Sequence, residues 1–276
     1  MPRATLSEVL QPALEGRYAV AGLVCLGWED ARAYVEAAEA EGAPVILQAG
    51  PGARANMPIS VWGAMFTELA EGASVPVVSH LDHGASEDEV RHAIEAGFTS
   101  VMFDGSRLPL AENIAQTARM VTMAHASGVS CEGEIGFVGY QDGAASTGTD
   151  PDEAAQFVAE TGVDAVAISA GNVHLQETPG TGLDDARIAA IEAQVRAPLV
   201  IHGGSGLGQD ARRRYARETR IAKFNIGTEL RQAFGTALRA ALSDDPKVYD
   251  RIAILKATHD PLVAAARRVI SGLKAT

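Results

Sequence analysis

Residues 199–228 read LVIHGGSGLGQDARRRYARETRIAKFNIGT, and the architecture of the chain can be inferred from them. They contain two short apolar runs, 199–201 and 221–224, which are separated by a glycine-rich turn and a polar segment, 209–218, that is typical of a helix. Apolar runs that continue without alternation are typical of parallel strands that helices cover. The stretch therefore predicts a strand–helix–strand unit with parallel strands.

The same order of strand and helix recurs along most of the chain. We predict eight strands, at 18–24, 44–48, 75–81, 100–103, 129–132, 165–169, 199–201 and 221–224. Helices are predicted at 29–41, 59–71, 87–96, 110–127, 152–161, 184–195, 209–218 and 228–242. Eight such units predict an α/β fold of the (β/α)8 TIM-barrel type, because these barrels have about 250 residues and open doubly wound sheets usually have fewer strands.

The chain is expected to form a single domain over residues 1–276. We place the barrel at about 18–242 and a short C-terminal helical extension at about 243–276. Within this extension, Asp260-Pro261 is expected to separate two short helices, because proline cannot continue the hydrogen-bonding pattern of a helix. The segment 142–150 is long, small and polar, and it is expected to form a mobile loop after the fifth strand.

Composition and charge exclude several classes of protein. With 47% hydrophobic and 21% charged residues, the chain is not expected to be disordered. A formal net charge of -12 argues against a nucleic-acid partner, and no apolar run approaches the roughly 18 residues that a membrane span needs. The first residues contain no apolar signal segment, and Cys25 and Cys131 do not form a disulfide scaffold, so we expect a cytoplasmic protein.

Polar side chains follow the predicted strands at their carboxyl ends, where barrel enzymes place their active sites. Three of them are histidines, His83, His174 and His202. Three imidazoles on one rim predict a catalytic Zn2+ site with an open fourth position. Asp104 and Glu134 follow neighbouring strands and are expected to extend the metal site or to support its ligands. The alternative is that each histidine is only a satisfied polar residue at a strand end.

Asp82 and His80 lie beside the first of these histidines. A carboxylate next to a metal can move protons to and from a hydroxyl, so Asp82 is a candidate acid–base residue; the alternative is that it orients a ligand. His80 and His83 are three positions apart, and strand alternation places them on opposite faces. His80 is therefore expected to be structural or to support a ligand.

Two glycine-rich loops follow the last two strands. Glycines let the backbone approach an anion, and a helix N-terminus presents unpaired N–H groups. The loops after strands seven and eight are the usual phosphate site of this fold, although glycines also form ordinary turns. The predicted phosphate-binding residues are Gly203, Gly204, Ser205, Asn225, Ile226, Gly227 and Thr228.

Five segments together resemble the class II, metal-dependent fructose-bisphosphate and tagatose-bisphosphate aldolase family. They are HLDHG at 80–84, VMFDGSRLP at 101–109, CEGEIG at 131–136, LVIHGGSG at 199–206 and KFNIGTE at 223–229. The resemblance implies a (β/α)8 barrel and the retro-aldol cleavage of a ketose phosphate to dihydroxyacetone phosphate and an aldehyde. It also implies a small-molecule sugar phosphate as the partner, and assembly as a homodimer or homotetramer.

The resemblance also implies roles for individual residues. The three rim histidines match the zinc ligands, and Asp82 matches the carboxylate that transfers the proton. Asp104 and Glu134 match acidic positions of a secondary or alternative metal site. The two glycine-rich loops match the ketose-phosphate site, beside which a monovalent cation, Na+ or K+, is implied.

The chain departs from the family pattern at three places around the predicted substrate. Leu175 follows the second histidine, where the family usually has glycine, and its replacement by glycine is expected to cost about 0.4–1 kcal/mol of stability. The first strand contains AGLVC at 21–25 where the family usually has Phe-Asn. The loop at 139–143 reads GYQDG where the family usually has Gly-Gly-x-Glu-Asp, so Asp142 is the candidate for the catalytic role of the missing glutamate.

These departures surround the substrate and leave the metal set intact, which indicates conserved chemistry on a changed substrate. Leu175, as a substrate-contacting residue, would permit an unphosphorylated or otherwise modified sugar or keto substrate. A metal-dependent sugar isomerase or epimerase on the same fold is a second alternative. A metal-binding carbohydrate sensor is a third, but a sensor does not explain Asp82.

Overall fold

A closed barrel of parallel strands forms the centre of the molecule. The computed structural model describes residues 2–140, 143–177, 180 and 182–274. Within them, eight strands pair in sequence order, and β1 closes the ring by pairing with β8. The strands are β1 (Val20–Val24), β2 (Val45–Ala49), β3 (Val77–Gly84), β4 (Ser100–Phe103), β5 (Ser130–Ile135), β6 (Ala165–Ile168), β7 (Leu199–Ile201) and β8 (Ile221–Ile226). The predicted (β/α)8 barrel is confirmed.

Eleven helices pack against the barrel in the described residues, and α2 to α9 connect successive strands. They are α1 (Leu6–Gly16), α2 (Trp28–Glu41), α3 (Pro51–Asn56), α4 (Ile59–Gly72), α5 (Glu87–Glu95), α6 (Leu110–Ala126), α7 (Pro151–Thr161), α8 (Asp185–Gln194), α9 (Gln209–Glu218), α10 (Thr228–Asp244) and α11 (Arg251–Leu273). Side-chain caps fix several of their starts. Oγ of Ser86 accepts a hydrogen bond from the N–H of Glu89 in α5, and Asp150 accepts from the first N–H groups of α7.

The helix α1, which was not predicted from the sequence, closes one end of the barrel. Thr5 and Glu8 cap its start reciprocally. Its apolar face, which includes Leu6 and Leu10, packs against inward-facing side chains such as Val20 and Ile46. These residues stand at the beginning of their strands, so α1 covers the amino-terminal end of the barrel and leaves the carboxyl ends for the polar site. The larger apolar core lies between the strands and the outer helices.

The expected division of the C-terminal segment into two helices is wrong. α11 continues through Pro261 to Leu273 without interruption. Proline removes one backbone hydrogen bond, but the helix buries Leu262, Val269 and Ile270 against the rest of the protein. Each such side chain contributes about 1.5–3 kcal/mol, which outweighs the roughly 3 kcal/mol that an internal proline costs. Across the described residues, no helix has the length and apolar character that a membrane span requires.

Candidate active site

Three histidines meet at the mouth of the barrel. His83 lies near the end of β3, His202 directly follows β7, and His174 lies in the loop after β6. Nε2 of His83 is 2.9 Å from Nδ1 of His202. One ring nitrogen from each histidine lies within 4.8 Å of the other two. The structure thus brings the three predicted ligands together in an arrangement suited to one cation.

The inward orientation of His83 results from an irregularity in β3. Its φ is 53°, in the left-handed region, and the register of β3 against β4 shifts at the same place. Asp82 and His83 therefore both reach the interior although they are consecutive. His80 faces the interior as well, because its Nε2 is 3.2 Å from Nζ of the buried Lys223. The expectation that His80 and His83 face opposite ways is wrong, because strand alternation does not continue through the irregularity.

Asp104 and Glu134 lie beside His83. Oδ2 of Asp104 is 2.8 Å from Nδ1 of His83, and Oε2 of Glu134 is 3.7 Å from the same nitrogen. Oε2 of Glu134 is buried and has no hydrogen-bond partner among the described residues. A buried carboxylate oxygen costs free energy unless a donor or a cation satisfies it. Imidazoles, carboxylates and this unpaired oxygen together form a donor set that fits Zn2+.

The carboxylates and imidazoles of the mouth shift one another's pKa. Burial lowers the pKa of His83, but the carboxylates of Asp82, Asp104 and Glu134 outweigh burial and raise this pKa to about 10. Burial raises the pKa of Glu134 to about 8, and the negative charge of Asp104 adds to the effect. Burial and the positive charge of His83 lower the pKa of His174 to about 4. A cation would replace the proton of His83, because ligand imidazoles are neutral.

Asp82 is buried in the mouth, where two side-chain amides hold it. Nε2 of Gln48 (3.0 Å) and Nδ2 of Asn225 (3.2 Å) both donate to its Oδ1. Oδ2 lies toward Gly50, where an added Cβ would be 3.4 Å from it. Burial raises the pKa of Asp82, but the positive charge of His83 and the other histidines lowers it below its ordinary value. Two donors therefore fix one carboxylate oxygen, and the other lies near Gly50, directly after β2.

The loop after β7 supports the start of α10. Gly203 has a φ of 66°, and a Cβ there would lie 2.2 Å from the carbonyl oxygen of Val173. Only glycine allows this close approach of the β6 and β7 loops. Oγ of Ser205 accepts hydrogen bonds from the N–H groups of Gly227 (3.3 Å) and Glu229 (3.4 Å). Gly203 and Ser205 thus have a structural role in addition to the predicted contact with phosphate.

A small cleft beside Asp82 and His174 contains most of the predicted phosphate-binding residues. Its other lining residues include Leu175, Gly203, Ser205, Asn225, Gly227, Thr228 and Arg231. The N-terminus of α10 and the guanidinium of Arg231 both favour an anion at this place. Ile226 and Gly204 are buried and are not among the residues that line this cleft.

Two large side chains flank His174. Leu175 has a φ of 59° and is 50% exposed. The ring of Tyr140 stacks on the ring of His174, with 5.0 Å between centroids and an angle of 28° between planes. The predicted catalytic residue Asp142 lies outside the described residues.

Five residues of the mouth and its surroundings were missed by sequence reasoning. Gln48 is the one polar residue of the otherwise apolar strand β2, and a lone amide in such a strand could have indicated a functional residue. Glu132 and Lys223 are charged residues inside predicted strands, and this position could have indicated a functional role in the same way. Tyr140 and Arg231 lie on a loop and a helix, where nothing in the sequence distinguishes them from surface residues.

Comparisons with known proteins agree with this arrangement. The family model of class II fructose-bisphosphate aldolases matches residues 4–276. A fructose-bisphosphate aldolase of Geobacillus stearothermophilus is 37% identical over 273 residues, which are 96% of this chain and 94% of that protein. One from Streptococcus pyogenes serotype M1 is 41% identical over 248 residues, or 87% and 83% of the two chains. The crystal structure of the YdjI aldolase from Escherichia coli K12 superposes with a TM-score of 0.85 at 29% identity, covering 99% of this chain and 98% of that one. The chain therefore belongs to the class II fructose-bisphosphate aldolase family.

Proposed function

We propose that this member of the family is a zinc-dependent aldolase that reversibly cleaves a ketose phosphate to dihydroxyacetone phosphate and an aldehyde. The observation that carries the proposal is the fixed carboxylate of Asp82 in a mouth that also contains three imidazoles. The three histidines are proposed to hold the metal, with Asp104 and Glu134 completing or supporting its site. When bound, Zn2+ would supply a Lewis acid that polarises the ketone and stabilises the negative charge left by cleavage.

Asp82 is proposed to move the proton. In the cleavage direction, its Oδ2 takes the proton of the hydroxyl that is beta to the ketone. The carbon–oxygen bond at that position becomes double, the adjacent carbon–carbon bond breaks, and the electron pair stays on the carbon next to the ketone. Gln48 and Asn225 hold Oδ1 throughout. A second proton then reaches that carbon, and Asp142 is proposed as its donor on the family pattern alone.

The phosphate of the substrate is proposed to bind in the cleft at the start of α10. The N–H group of Thr228, the loop of Gly203 and Ser205, and the guanidinium of Arg231 would supply the donors. A monovalent cation, Na+ or K+, is proposed beside them, because a phosphate dianion held mainly by neutral amides keeps much of its charge.

Leu175 and Tyr140 favour a substrate other than the common bisphosphate. Both flank His174 at the mouth, and both are partly exposed, so they narrow this side of the entrance and make it less polar. An aldolase for an unphosphorylated or otherwise modified sugar or keto compound is therefore the second candidate. An isomerase or epimerase has no specific observation in its favour.

A retro-aldol screen tests the proposal. The protein, loaded with Zn2+, would be given fructose and tagatose 1,6-bisphosphates, ketose 1-phosphates and unphosphorylated ketoses. We expect two carbon fragments, with dihydroxyacetone phosphate among them. Products that keep the carbon count of the substrate would indicate an isomerase, and the absence of fragments from every compound would contradict the proposal.

Replacement of Asp82 by asparagine provides the matched variant of that screen. Asparagine preserves the shape of the side chain and hydrogen bonding but cannot accept the proton. We expect near-normal Zn2+ content by elemental analysis and a turnover number lower by roughly 100-fold or more. Turnover within about threefold of the unaltered protein would show that Asp82 is not the base.

Assembly and location are also proposals. We propose a homodimer or homotetramer, which sedimentation at several concentrations would test. A cytoplasmic location is supported by two free and buried cysteines, as expected in a reducing compartment. Neither a nucleic acid nor a membrane is proposed as a partner.

A further inference from the structure

A row of buried polar side chains crosses the barrel interior and ends at His202, one of the three histidines of the mouth. Its members have no exposed surface: Ser100, His80, Lys223, Glu132 and His202. Nδ1 of His80 is 2.8 Å from Oγ of Ser100, and Nε2 of His80 is 3.2 Å from Nζ of Lys223. Nζ of Lys223 is 2.6 Å from Oε2 of Glu132, whose Oε1 is 3.1 Å from Nε2 of His202. We call these five residues the interior row.

A second strand irregularity places Lys223 in this row. The register of β8 against β7 shifts beside Lys223. As a result, Ala222 packs in the interior core with α1 while the next residue, Lys223, also reaches inward to Glu132. A buried lysine–glutamate pair contributes little to stability compared with apolar residues of the same volume. We therefore expect this pair to have a role other than stability.

The donors and acceptors of the interior row fix its hydrogen positions. The ammonium of Lys223 only donates, so Nε2 of His80 accepts and Nδ1 of His80 donates to Ser100. The carboxylate of Glu132 only accepts, so Nε2 of His202 must carry a hydrogen. A neutral His202 then has its lone pair on Nδ1, which is the nitrogen that faces Nε2 of His83 at 2.9 Å.

The hydrogen position on His83, the partner of His202 in this contact, is fixed in the same way. Nδ1 of His83 lies 2.8 Å from the carboxylate of Asp104 and donates to it. The lone pair of a neutral His83 is therefore on Nε2. Two lone pairs face each other at the mouth, and such an arrangement is stable only when a proton or a cation lies between them.

We propose that Glu132 and Lys223 are positioning residues for the metal: Glu132 fixes the tautomer and the ring orientation of His202, and Lys223 fixes Glu132. This inference rests on the metal dependence in the proposed function. Such partners of a metal-ligating histidine typically change metal affinity about 10–100-fold when they are altered. The role of Lys223 is indirect, since it contacts Glu132 and His80 but neither His83 nor His174.

Glu132→Gln is the decisive variant, because glutamine offers one acceptor oxygen and one donor nitrogen. Lys223 can only donate, so it takes the amide oxygen. The amide nitrogen then faces Nε2 of His202, whose hydrogen must move to Nδ1 and block the metal-facing lone pair. We expect Zn2+ affinity, measured by competition with a chelating dye, to fall about 10–100-fold.

Glu132→Gln/Lys223→Met should reverse most of that loss. Without the ammonium, the amide can turn its oxygen toward Nε2 of His202. Its nitrogen then faces Nε2 of His80, which is 3.8 Å from Oε2 of Glu132 in the native chain. The hydrogen of His202 returns to Nε2, and the lone pair on Nδ1 is restored. A gain of Zn2+ affinity on removing a buried lysine is not expected from a merely structural pair.

Two further variants complete the experiment. Glu132→Asp keeps the negative charge for Lys223 but is one methylene too short to contact both partners, so its Zn2+ affinity should also fall. This variant replaces Glu132→Gln in the test if Glu132→Gln does not fold.

His125→Gln is the matched control. His125 also pairs with a carboxylate, Asp164, at 2.8 Å, but at the opposite end of the barrel, and its replacement should leave Zn2+ affinity unchanged. Circular dichroism confirms that each variant is folded.

Failure of this inference can be distinguished from failure of the proposed function. A folded Glu132→Gln or Glu132→Asp variant that binds Zn2+ as tightly as the unaltered protein overturns the positioning role and leaves the function standing. A double variant that binds no more tightly than Glu132→Gln overturns the role of Lys223. An unaltered protein that binds no Zn2+ overturns the metal-dependent function and the positioning role together.

Discussion

Two residues at the mouth have backbone conformations that glycine would adopt more easily. His83 and Leu175 have φ values of 53° and 59°. A left-handed conformation costs an ordinary residue about 1–2 kcal/mol, and such strain clusters at functional sites, although it also occurs at helix ends such as Arg17 of α1. At His83 the strain has a visible result, since it turns the imidazole toward His202. At Leu175 it keeps a large side chain beside His174.

Leu175→Gly should stabilise the protein slightly, which reverses the expectation from sequence alone. Glycine adds unfolded-state entropy, but at positive φ the relief of strain exceeds that cost. We expect a melting temperature equal to or above that of the unaltered protein. We also expect a higher ratio of kcat/KM for fructose 1,6-bisphosphate to kcat/KM for the protein's own best substrate.

Leu175→Ala separates the effect of side-chain size from the effect of backbone strain, because alanine removes the bulk of leucine but keeps the strain at positive φ. It should change the ratio of kcat/KM values without raising the melting temperature. A lower melting temperature for Leu175→Gly than for Leu175→Ala would contradict the strain argument. An unchanged ratio in both variants would show that Leu175 has no part in substrate choice.

Gln48→Met should slow the reaction without removing the metal. Methionine fills a similar volume but cannot donate to Oδ1 of Asp82, so the carboxylate is less well fixed. A hydrogen bond to a charged group is worth about 1.5–3 kcal/mol, and we expect kcat to fall about 10-fold or more. KM and Zn2+ content should change little.

Gln194→Met is the matched control for Gln48. Gln194 also donates to an aspartate, Asp152, at 2.7 Å, but on the surface of the protein. Its replacement should leave kcat unchanged. Equal kcat values for Gln48→Met and Gln194→Met would rule out a positioning role of Gln48.

The predicted centres of the strands agree with the structure, and the carboxyl ends of three strands differ from the prediction for one shared reason. β3, β5 and β8 continue past the predicted ends, through Gly84, Ile135 and Ile226. The added residues include Asp82, His83, Glu134 and Asn225, which are polar and end the apolar pattern from which a strand is inferred. The chemistry of the mouth is therefore located partly on strand backbone, where pairing holds it more rigidly than a loop would.

Pro261→Ala should stabilise α11. Pro261 is exposed, so alanine loses little packing there and restores a backbone N–H in the helix interior. Part of the gain is offset because proline restricts the unfolded chain. We expect a net gain of about 1 kcal/mol, or roughly 2–4 °C in melting temperature for a domain of this size. An unchanged or lower melting temperature in differential scanning calorimetry would show that α11 has adapted fully to its proline.

For the molecule as a whole, the location of the site could be predicted from the sequence. The contacts between its side chains could not. Once eight strand–helix units are assigned, His83, His174 and His202 are expected at one rim because parallel strands end together. The inward turn of His83 and the placement of Lys223 depend on register shifts in β3 and β8. A register shift is a property of two paired strands, and the apolar pattern of one strand does not show it.

Removal of Zn2+ should lower the stability of the protein without unfolding it. The two apolar cores do not include the metal site, so the barrel should persist. A ligand at about 100 times its Kd contributes about 2.7 kcal/mol, which corresponds to roughly 5–10 °C in melting temperature. Calorimetry of chelator-treated and Zn2+-reloaded protein measures this difference.

His202→Ala is the control for that measurement. With two imidazoles left, Zn2+ should no longer raise its melting temperature. The prediction fails if the chelator leaves the unaltered protein's melting temperature unchanged, or if His202→Ala still responds to Zn2+.

The pairing of β1 with β8 has a consequence for the protein during its synthesis on the ribosome. The two strands that close the ring stand roughly 200 residues apart in the chain, a distance that a ribosome covers in about 10–40 s. Throughout that time β1 has no partner on one side, and each new strand presents a fresh unpaired edge. Unpaired edges are templates for association with other chains. The nascent half-barrel is therefore the form of this protein most in need of a chaperone, and a ribosome that stalls before β8 leaves it without the strand that would end the exposure.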